Sequence, residues 1–323
     1  MLLIESRPEG LYCPVGDFYI DPLKPVGKAV ITHAHADHFC SGCNEYIAQR
    51  TTISFLKLRM GRIAPMKALD YGQVIDFSGV KVSLHSAGHM PGSAQVRVEY
   101  KGEVWVITGD YKPEGNPFCV PFELLKCDVL VTECTFSHPR FAWPEEDVVR
   151  DQIIGWYRNS VGLGKYPVLA AYAIGKAQKI MSMLREEDIP IMVHRTVDKF
   201  NKLYKDLGMD PGPYKVLKDG MQKKHFGNSL ILVPPTVLKT AWMKRFKELS
   251  VGLCSGWLTD ESAVSKRGAD QGFILSDHAD FNAILSYVEL CGADLVYLMH
   301  GNKEEMSKFF VSKGIKHALM KYQ

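Results

Sequence analysis

Seven consecutive residues, Thr32-His33-Ala34-His35-Ala36-Asp37-His38, constrain this chain more than any other stretch. They set three imidazoles and one carboxylate within six positions, directly after the apolar run Ala29, Val30, Ile31. Such a run predicts a short buried strand, here reaching His33. Side chains alternate along a strand, so His33 and His35 are expected on one face. Asp37 and His38 fall in the turn beyond and can face a second point close by. Imidazole with carboxylate suits zinc, manganese or iron rather than calcium or magnesium. The rival reading is a run of solvated polar residues in a turn. It is weak, because four ligand-type residues so spaced after an apolar strand are uncommon.

Other ligand-type residues also stand where apolar runs end. Positions 80–84 alternate Val, Lys, Val, Ser, Leu and predict a half-buried strand. It leads into Ser86-Ala87-Gly88-His89-Met90-Pro91-Gly92-Ser93-Ala94, a loop whose His89 can approach a metal. Ser93 is a candidate phosphate donor, with an ordinary turn serine as the plainer reading. His85 reads as structural. The run 103–110 ends in Asp110, 128–133 in Glu133, 272–278 in His278, and 295–300 in His300. Asp21-Pro22 closes an earlier strand.

From Trp143-Pro144-Glu145 onward the texture changes. Strands alternate with helices over 168–173, 176–184, 191–194, 199–207, 230–233, 241–249 and 251–256. This alternation implies an α/β lobe with a mainly parallel sheet. Within it, Tyr172-Ala173-Ile174-Gly175-Lys176 passes from strand to helix, where unpaired N–H groups and a glycine suit a single backbone phosphate. It lacks the full nucleotide-binding P-loop pattern, and a plain turn is an equal alternative. Lys266-Arg267 is a second basic point. Lys57 and Arg59, on a helix expected over 51–60, and Arg62 just beyond it could add a basic edge, with a solvated face as the plainer reading.

Composition narrows the classes. Of 323 residues, 46% are hydrophobic and 23% charged, as in an ordinary globular protein. The net charge of +3 is too slight to diagnose nucleic-acid binding, so any basic footprint is local. There is no signal-peptide core and no membrane-length apolar run, which leads to the expectation of a cytoplasmic protein with no membrane partner. The eight cysteines are then expected as reduced thiols. Cys40-Ser41-Gly42-Cys43 has no second C-x-x-C to complete a zinc site, and packing is its plainer role.

The pattern at 33–38 resembles the metallo-β-lactamase superfamily. The order Asp21, 33–38, His89, Asp110, Glu133, His278, His300 is similar to its β-CASP branch, which acts on nucleic acids. In that branch a second lobe interrupts the metal-binding fold between a carboxylate and a histidine. Here 145 positions separate Glu133 from His278, with the α/β texture between them. The opening Gly10-Leu11-Tyr12-Cys13-Pro14-Val15-Gly16-Asp17-Phe18-Tyr19-Ile20-Asp21-Pro22 and the block Ser276-Asp277-His278-Ala279-Asp280 look most like the bacterial DNA-ligase-associated exonuclease family.

That resemblance implies an α/β fold, a metallo-β-lactamase αββα sandwich interrupted by an inserted α/β β-CASP lobe. The implied divisions are 1–140, 141–270 and 271–323. It implies two divalent metal ions, zinc or manganese. His33, His35 and His89 would hold one, Asp37, His38 and His300 the other, and Asp110 would bridge them. Asp21 would orient a ligand from behind, and Glu133 with His278 would act near the leaving group. The implied activity is a DNA exonuclease in repair, working with an ATP-dependent DNA ligase and a large helicase. Ser93, Gly175, Lys176, Lys266 and Arg267 are the candidate nucleic-acid contacts. DNA-specific eukaryotic relatives usually carry Val where this chain has His300, whereas RNA-processing members carry His. A β-CASP ribonuclease is therefore the first alternative. A small-molecule metallo-hydrolase and a non-enzymatic scaffold are the others.

Overall fold

The computed structural model describes residues 2–61, 64–218, 221, 225–240, 243, 248–259 and 261–320. Arg62, and most of the helix expected over 241–249, lie outside the described residues. The chain forms two compact units, Met1–Phe141 with His278–Gln323, and Ala142–Asp277.

The first unit holds two sheets. One has six strands in chain order: β1 (Glu5–Arg7), β2 (Gly10–Cys13), β3 (Phe18–Ile20), β4 (Lys28–Ile31), β5 (Glu45–Gln49) and β6 (Met66–Leu69). The other has seven, running β19 (His317–Leu319), β18 (Leu295–Met299), β11 (Val129–Glu133), β10 (Glu103–Ile107), β9 (Ala94–Tyr100), β8 (Val80–Ser86) and β7 (Val74–Phe77). The period-two pattern decides how they stack. Trp105 and Ile107 join a core with Leu11, Phe18, Val30 and Ile47 of the first sheet, so the two sheets face each other. Val106 and Leu130, between those positions, point the other way. There they meet Ile284, Tyr287 and Val288 of a helix over Phe281–Cys291 and Met306 and Phe310 of another over Lys303–Lys313. Asp280 caps the first of these helices, accepting from the Ala283 N–H, and Gly292 ends it in the left-handed region. The helix α1 (Arg50–Met60) covers β5 and β6 with residues outside the inter-sheet core.

The second unit is built on a parallel six-stranded sheet. Its order is β14 (Lys215–Val216), β13 (Ile191–Val193), β15 (Leu230–Val233), β12 (Tyr166–Ala170), β16 (Leu249–Cys254) and β17 (Gln271–Phe273). Leu169, Leu230 and Leu232 enter one buried cluster, while Val168, Ala170 and Ile231 enter another. Both faces are thus covered, as a parallel sheet requires. On the first face lie α2 (Glu146–Gly162), α3 (Lys176–Met183) and α4 (Arg195–Asp206). A short α5 (Glu261–Lys266) precedes β17, and the helices over Phe281–Cys291 and Lys303–Lys313 are α6 and α7.

Several boundaries differ from the sequence reading, and three of them have a visible cause. β4 stops at Ile31, because the Thr32 N–H donates to the Asp21 carboxylate instead of continuing the strand. The return to the first unit comes at His278 and not at 271, because β17 pairs with β16 as the edge of the second sheet. α4 starts at Arg195, where the His194 side chain accepts from the Thr196 N–H.

Candidate metal centre

β8, β10, β11 and β18 run in one direction, so their C-terminal ends lie along one edge. His89 follows β8, Asp110 follows β10, Glu133 ends β11 and His300 follows β18. The loop after β4 supplies the 33–38 cluster from the facing sheet. Glycines let these loops come close. A Cβ on Gly301 would lie 2.1 Å from the Cys134 carbonyl oxygen, and one on Gly109 would lie 2.7 Å from Thr32. Both sit at positive φ. Asp21 and His300 also sit there, with φ of 44° and 57°. For residues with a Cβ, that strain is one that functional sites commonly retain.

Asp110 is the hub. Its Oδ2 lies 3.5 Å from His33 Nε2, 3.7 Å from His89 Nε2 and 3.8 Å from His278 Nδ1. Its Oδ1 lies 3.4 Å from His38 Nε2. One carboxylate therefore turns its two oxygens toward two different sets of imidazoles. His33, His35, His89 and Asp110 each offer a ligand atom, all within 4.8 Å of one another. Asp110, Glu133 and His278 form a second such group. His35 Nδ1 and His89 Nε2 are 3.0 Å apart. His33 is fully buried, and its Nε2 finds no hydrogen-bond partner among the described residues. An orphaned buried nitrogen aimed into a ring of donors fits a cation.

The electrostatics agree. Burial pushes His33 well below the ordinary imidazole range, lowers His35 to about 4 and lowers His300 as well, which favours neutral, ligand-ready rings. Burial opposes charge on His38 too, but the Asp110 and Asp21 carboxylates outweigh it and hold the ring well above that range. Asp110 is likewise held well below the carboxylate range, because His38 and His278 overcome the effect of its burial.

Asp21 stands behind this cluster. It accepts from the Thr32 N–H at 2.8 Å, from the Thr32 hydroxyl, and from His38 Nδ1 at 2.7 Å. Glu133 is buried and accepts from the Tyr111 N–H at 2.9 Å, from the Thr135 hydroxyl, and from His278 Nδ1 at 2.9 Å. His38 and His300 approach with ring centroids 5.5 Å apart. Asp37 is exposed and lies outside both groups of convergent ligand atoms, though its charge reaches His35 and Arg59.

The expected phosphate contacts fare differently. Ser93 is buried, and its Oγ accepts from the N–H groups of His89 and Met90, so it shapes the His89 loop and does not present itself to solvent. Lys176, expected to meet phosphate beside Gly175, is 4% exposed. Its ammonium lies 3.4 Å from the buried Asp277 carboxylate and over the Tyr172 ring. Sequence order hid this pairing, because Asp277 is far along the chain. Lys266 and Arg267 are exposed. The sequence reading also missed Thr32, Tyr111 and Thr135. Only the position of Thr32, between the strand and the first histidine, could have suggested it. Cys40 and Cys43 place their sulfurs 3.7 Å apart and join no group of convergent ligand atoms among the described residues.

No protein-family profile matches the chain. Curated relatives do. A probable DNA ligase of Opitutus terrae is 27% identical over 309 residues, which cover 95% of this chain and 30% of the ligase. Endoribonuclease YSH1 of Eremothecium gossypii is 25% identical over 311 residues, covering 75% of this chain and 39% of its own. RNase aCSPSF2 of Saccharolobus solfataricus is 25% identical over 195 residues, covering 51% and 39%. The chain thus spans well under half the length of these relatives. A crystal structure of a protein of unknown function from Enterococcus faecalis V583 shares its fold, with a TM-score of 0.56 and 12% identity over 92% of this chain and 79% of that one. No helix among the described residues is long and apolar enough to cross a membrane.

Proposed function

We propose that this chain is a dinuclear-metal phosphodiesterase of the metallo-β-lactamase/β-CASP kind, acting on nucleic acid, and more finely a DNA exonuclease. The observation that carries the reading is the split orientation of Asp110, with one oxygen toward His33 and His89 and the other toward His38. In the proposal His33, His35 and His89 hold one divalent ion, zinc or manganese. Asp37, His38 and His300 hold the other, and Asp110 serves both. Ions bound there would supply Lewis acidity toward a phosphodiester and would lower the pKa of water, so that hydroxide is available near neutral pH.

The chain's own residues do the rest. Asp21 accepts a hydrogen bond from the Nδ1–H of His38 and so leaves Nε2 as the ligating nitrogen. Glu133 accepts from His278 Nδ1 and so orients the ring with Nε2 turned away from the carboxylate. His278 keeps 22% of its side chain exposed beside the fully buried His33. It can therefore deliver a proton to the departing sugar oxygen as general acid. Asp110 is held well below the ordinary carboxylate range by His38 and His278, which favours the ionised form that both positions would share.

A ribonuclease of the same architecture is the second reading, supported by relatives named as an endoribonuclease and an RNase. For the DNA reading the support is the ligase-named relative, which contains a segment like nearly all of this chain within a longer one. The same observation supports a working association with a DNA ligase; that the ligase is ATP-dependent, that a large helicase takes part and that the setting is repair belong to the proposal alone. The test is a cleavage assay on matched end-labelled single-stranded DNA and RNA. It uses metal-stripped protein reloaded with Zn²⁺ or Mn²⁺, and Asp37→Ala/His38→Ala as control. Stepwise shortening of DNA, absent from the control, is expected. Faster loss of RNA would move the chain to the ribonuclease reading. No cleavage of either with metal bound would defeat both.

A further inference from the structure

Helix α2 breaks a rule of its own secondary structure. Gly155 stands in its interior, where glycine is the least favourable residue after proline. Interior glycines in helices usually make room for a neighbour. This one does not: a Cβ there would meet nothing within 4 Å, and Gly155 has no positive φ. No packing contact among the described residues requires it. The space that glycine leaves open is a groove.

The groove has a volume of about 850 Å³ and lies wholly within the second unit. This is within the size range of ligand pockets, about 300–1,000 Å³. Gln152, Gly155, Trp156 and Asn159 line one wall at helical spacing; the first, second and fourth are on the exposed side of α2, and Trp156 packs against the cluster that holds Val149, Ile153 and Ile154. Trp143 and the edge-strand residue Gln271 line the rest of the polar and aromatic surface. Trp156 is fixed in place, since its indole N–H donates to Ser250 Oγ at 3.0 Å and its ring packs edge-on against Phe273. None of the described lining residues carries a charge.

That chemistry selects a class of occupant. An uncharged groove gives a phosphate or carboxylate no counter-charge. Two indoles offer flat apolar faces, and three carboxamides offer paired donors and acceptors. Unpaired nucleobases match both features: they stack on aromatic rings and pair edge-on with Gln and Asn. The exposed Lys266 and Arg267 follow the wall residue Val264 by two and three positions, where a sugar-phosphate backbone would need cations. We propose that this groove binds one or two unpaired bases of a single-stranded substrate, stacked on Trp143 and Trp156, with Gly155 as its floor. This rests on the nucleic-acid reading above and adds to it a site for strand recognition.

The test compares fluorescently labelled single-stranded decamers, one bearing bases and one with abasic linkers throughout. Each is titrated against the metal-stripped protein, with anisotropy as the readout. The wild type is expected to bind the base-bearing strand at least about tenfold more tightly, since each stacked base contributes roughly that factor or more. Gly155→Leu fills the groove with a better helix former. It should keep or raise the melting temperature and lose the base preference, with Gly155→Ala between. Unchanged base preference in Gly155→Leu, with the variant folded, would overturn the inference. So would equal wild-type affinity for both strands. If the groove instead takes a proline-rich decapeptide that Gly155→Leu fails to bind, it belongs to a protein partner and the inference is also overturned. These failures differ from failure of the nuclease reading, in which the metal-loaded wild type cleaves neither DNA nor RNA.

Discussion

Asp21→Asn isolates how one metal position is built. Asparagine keeps the size of aspartate and tolerates the left-handed backbone that Asp21 occupies at φ 44°, so the fold is not the variable. What changes is charge and proton order. The carboxylate accepts three hydrogen bonds, from the Thr32 N–H, the Thr32 hydroxyl and His38 Nδ1. A carboxamide can accept one or two and must turn its NH₂ toward the third. Facing His38, that NH₂ demands an unprotonated Nδ1 and moves the ring proton to Nε2, the nitrogen that points at Asp110. A hydrogen bond to a charged group contributes about 1.5–3 kcal/mol. At about 1.4 kcal/mol per tenfold, this matches the 10–100-fold loss of metal affinity typical of such orienting contacts. The assay is stepwise competition with a chelator, with metal counted by elemental analysis at each step. One of two ions should leave the variant at a 10–100-fold lower chelator concentration, while the other leaves as in the wild type. Retention of both at wild-type affinity would refute the orienting role. Equal loss of both would refute the assignment of Asp21 to one position.

Three further outcomes are expected. His278→Ala should lower kcat by about 10²–10⁴-fold with both ions retained, and loss of metal would sink its assignment as the acid. In the metal-stripped protein, stability should fall on both sides of pH 6.5, the ordinary histidine value. His35, lowered to about 4 by burial, resists protonation, so its contribution is complete above 6.5 and fades by about 1.4 kcal/mol per unit as pH drops toward 4. His38, raised, contributes fully below 6.5 and loses its contribution as pH climbs through its folded value. A melting temperature that is flat with pH would contradict both, and Asp21→Asn should weaken the alkaline limb alone, since Asp110 still raises His38. Asp277→Ala should destabilise the second unit by about 3–5 kcal/mol, because it strands the buried Lys176 ammonium. A chemical-denaturation midpoint equal to that of the wild type would refute the pair's structural role.

What sequence could show depended on how far apart the interacting residues lie. The 33–38 cluster was legible because its ligands are consecutive. Asp110, Glu133 and His300 were legible because each follows an apolar run, and parallel strands set their ends side by side. His278 does not end its strand: β17 stops at Phe273, and a loop carries the histidine to Glu133. The return point was misplaced for the same reason, since an apolar run does not say which sheet it will join. Lys176 looked like a phosphate contact because the spacing Gly-Lys-helix is local, whereas the carboxylate that takes its charge is remote. The groove beside Gly155 was invisible, because its walls come from Trp143, α2 and β17, and only folding brings them together.

The sharpest single measurement is anomalous diffraction from crystals of the zinc-loaded protein at the zinc edge. The proposal predicts two peaks per chain, on either side of the Asp110 carboxylate, one among His33, His35 and His89 and the other beside His38 and His300. A single peak at full occupancy, or a second one away from Asp110, would contradict the dinuclear centre on which the proposed chemistry depends.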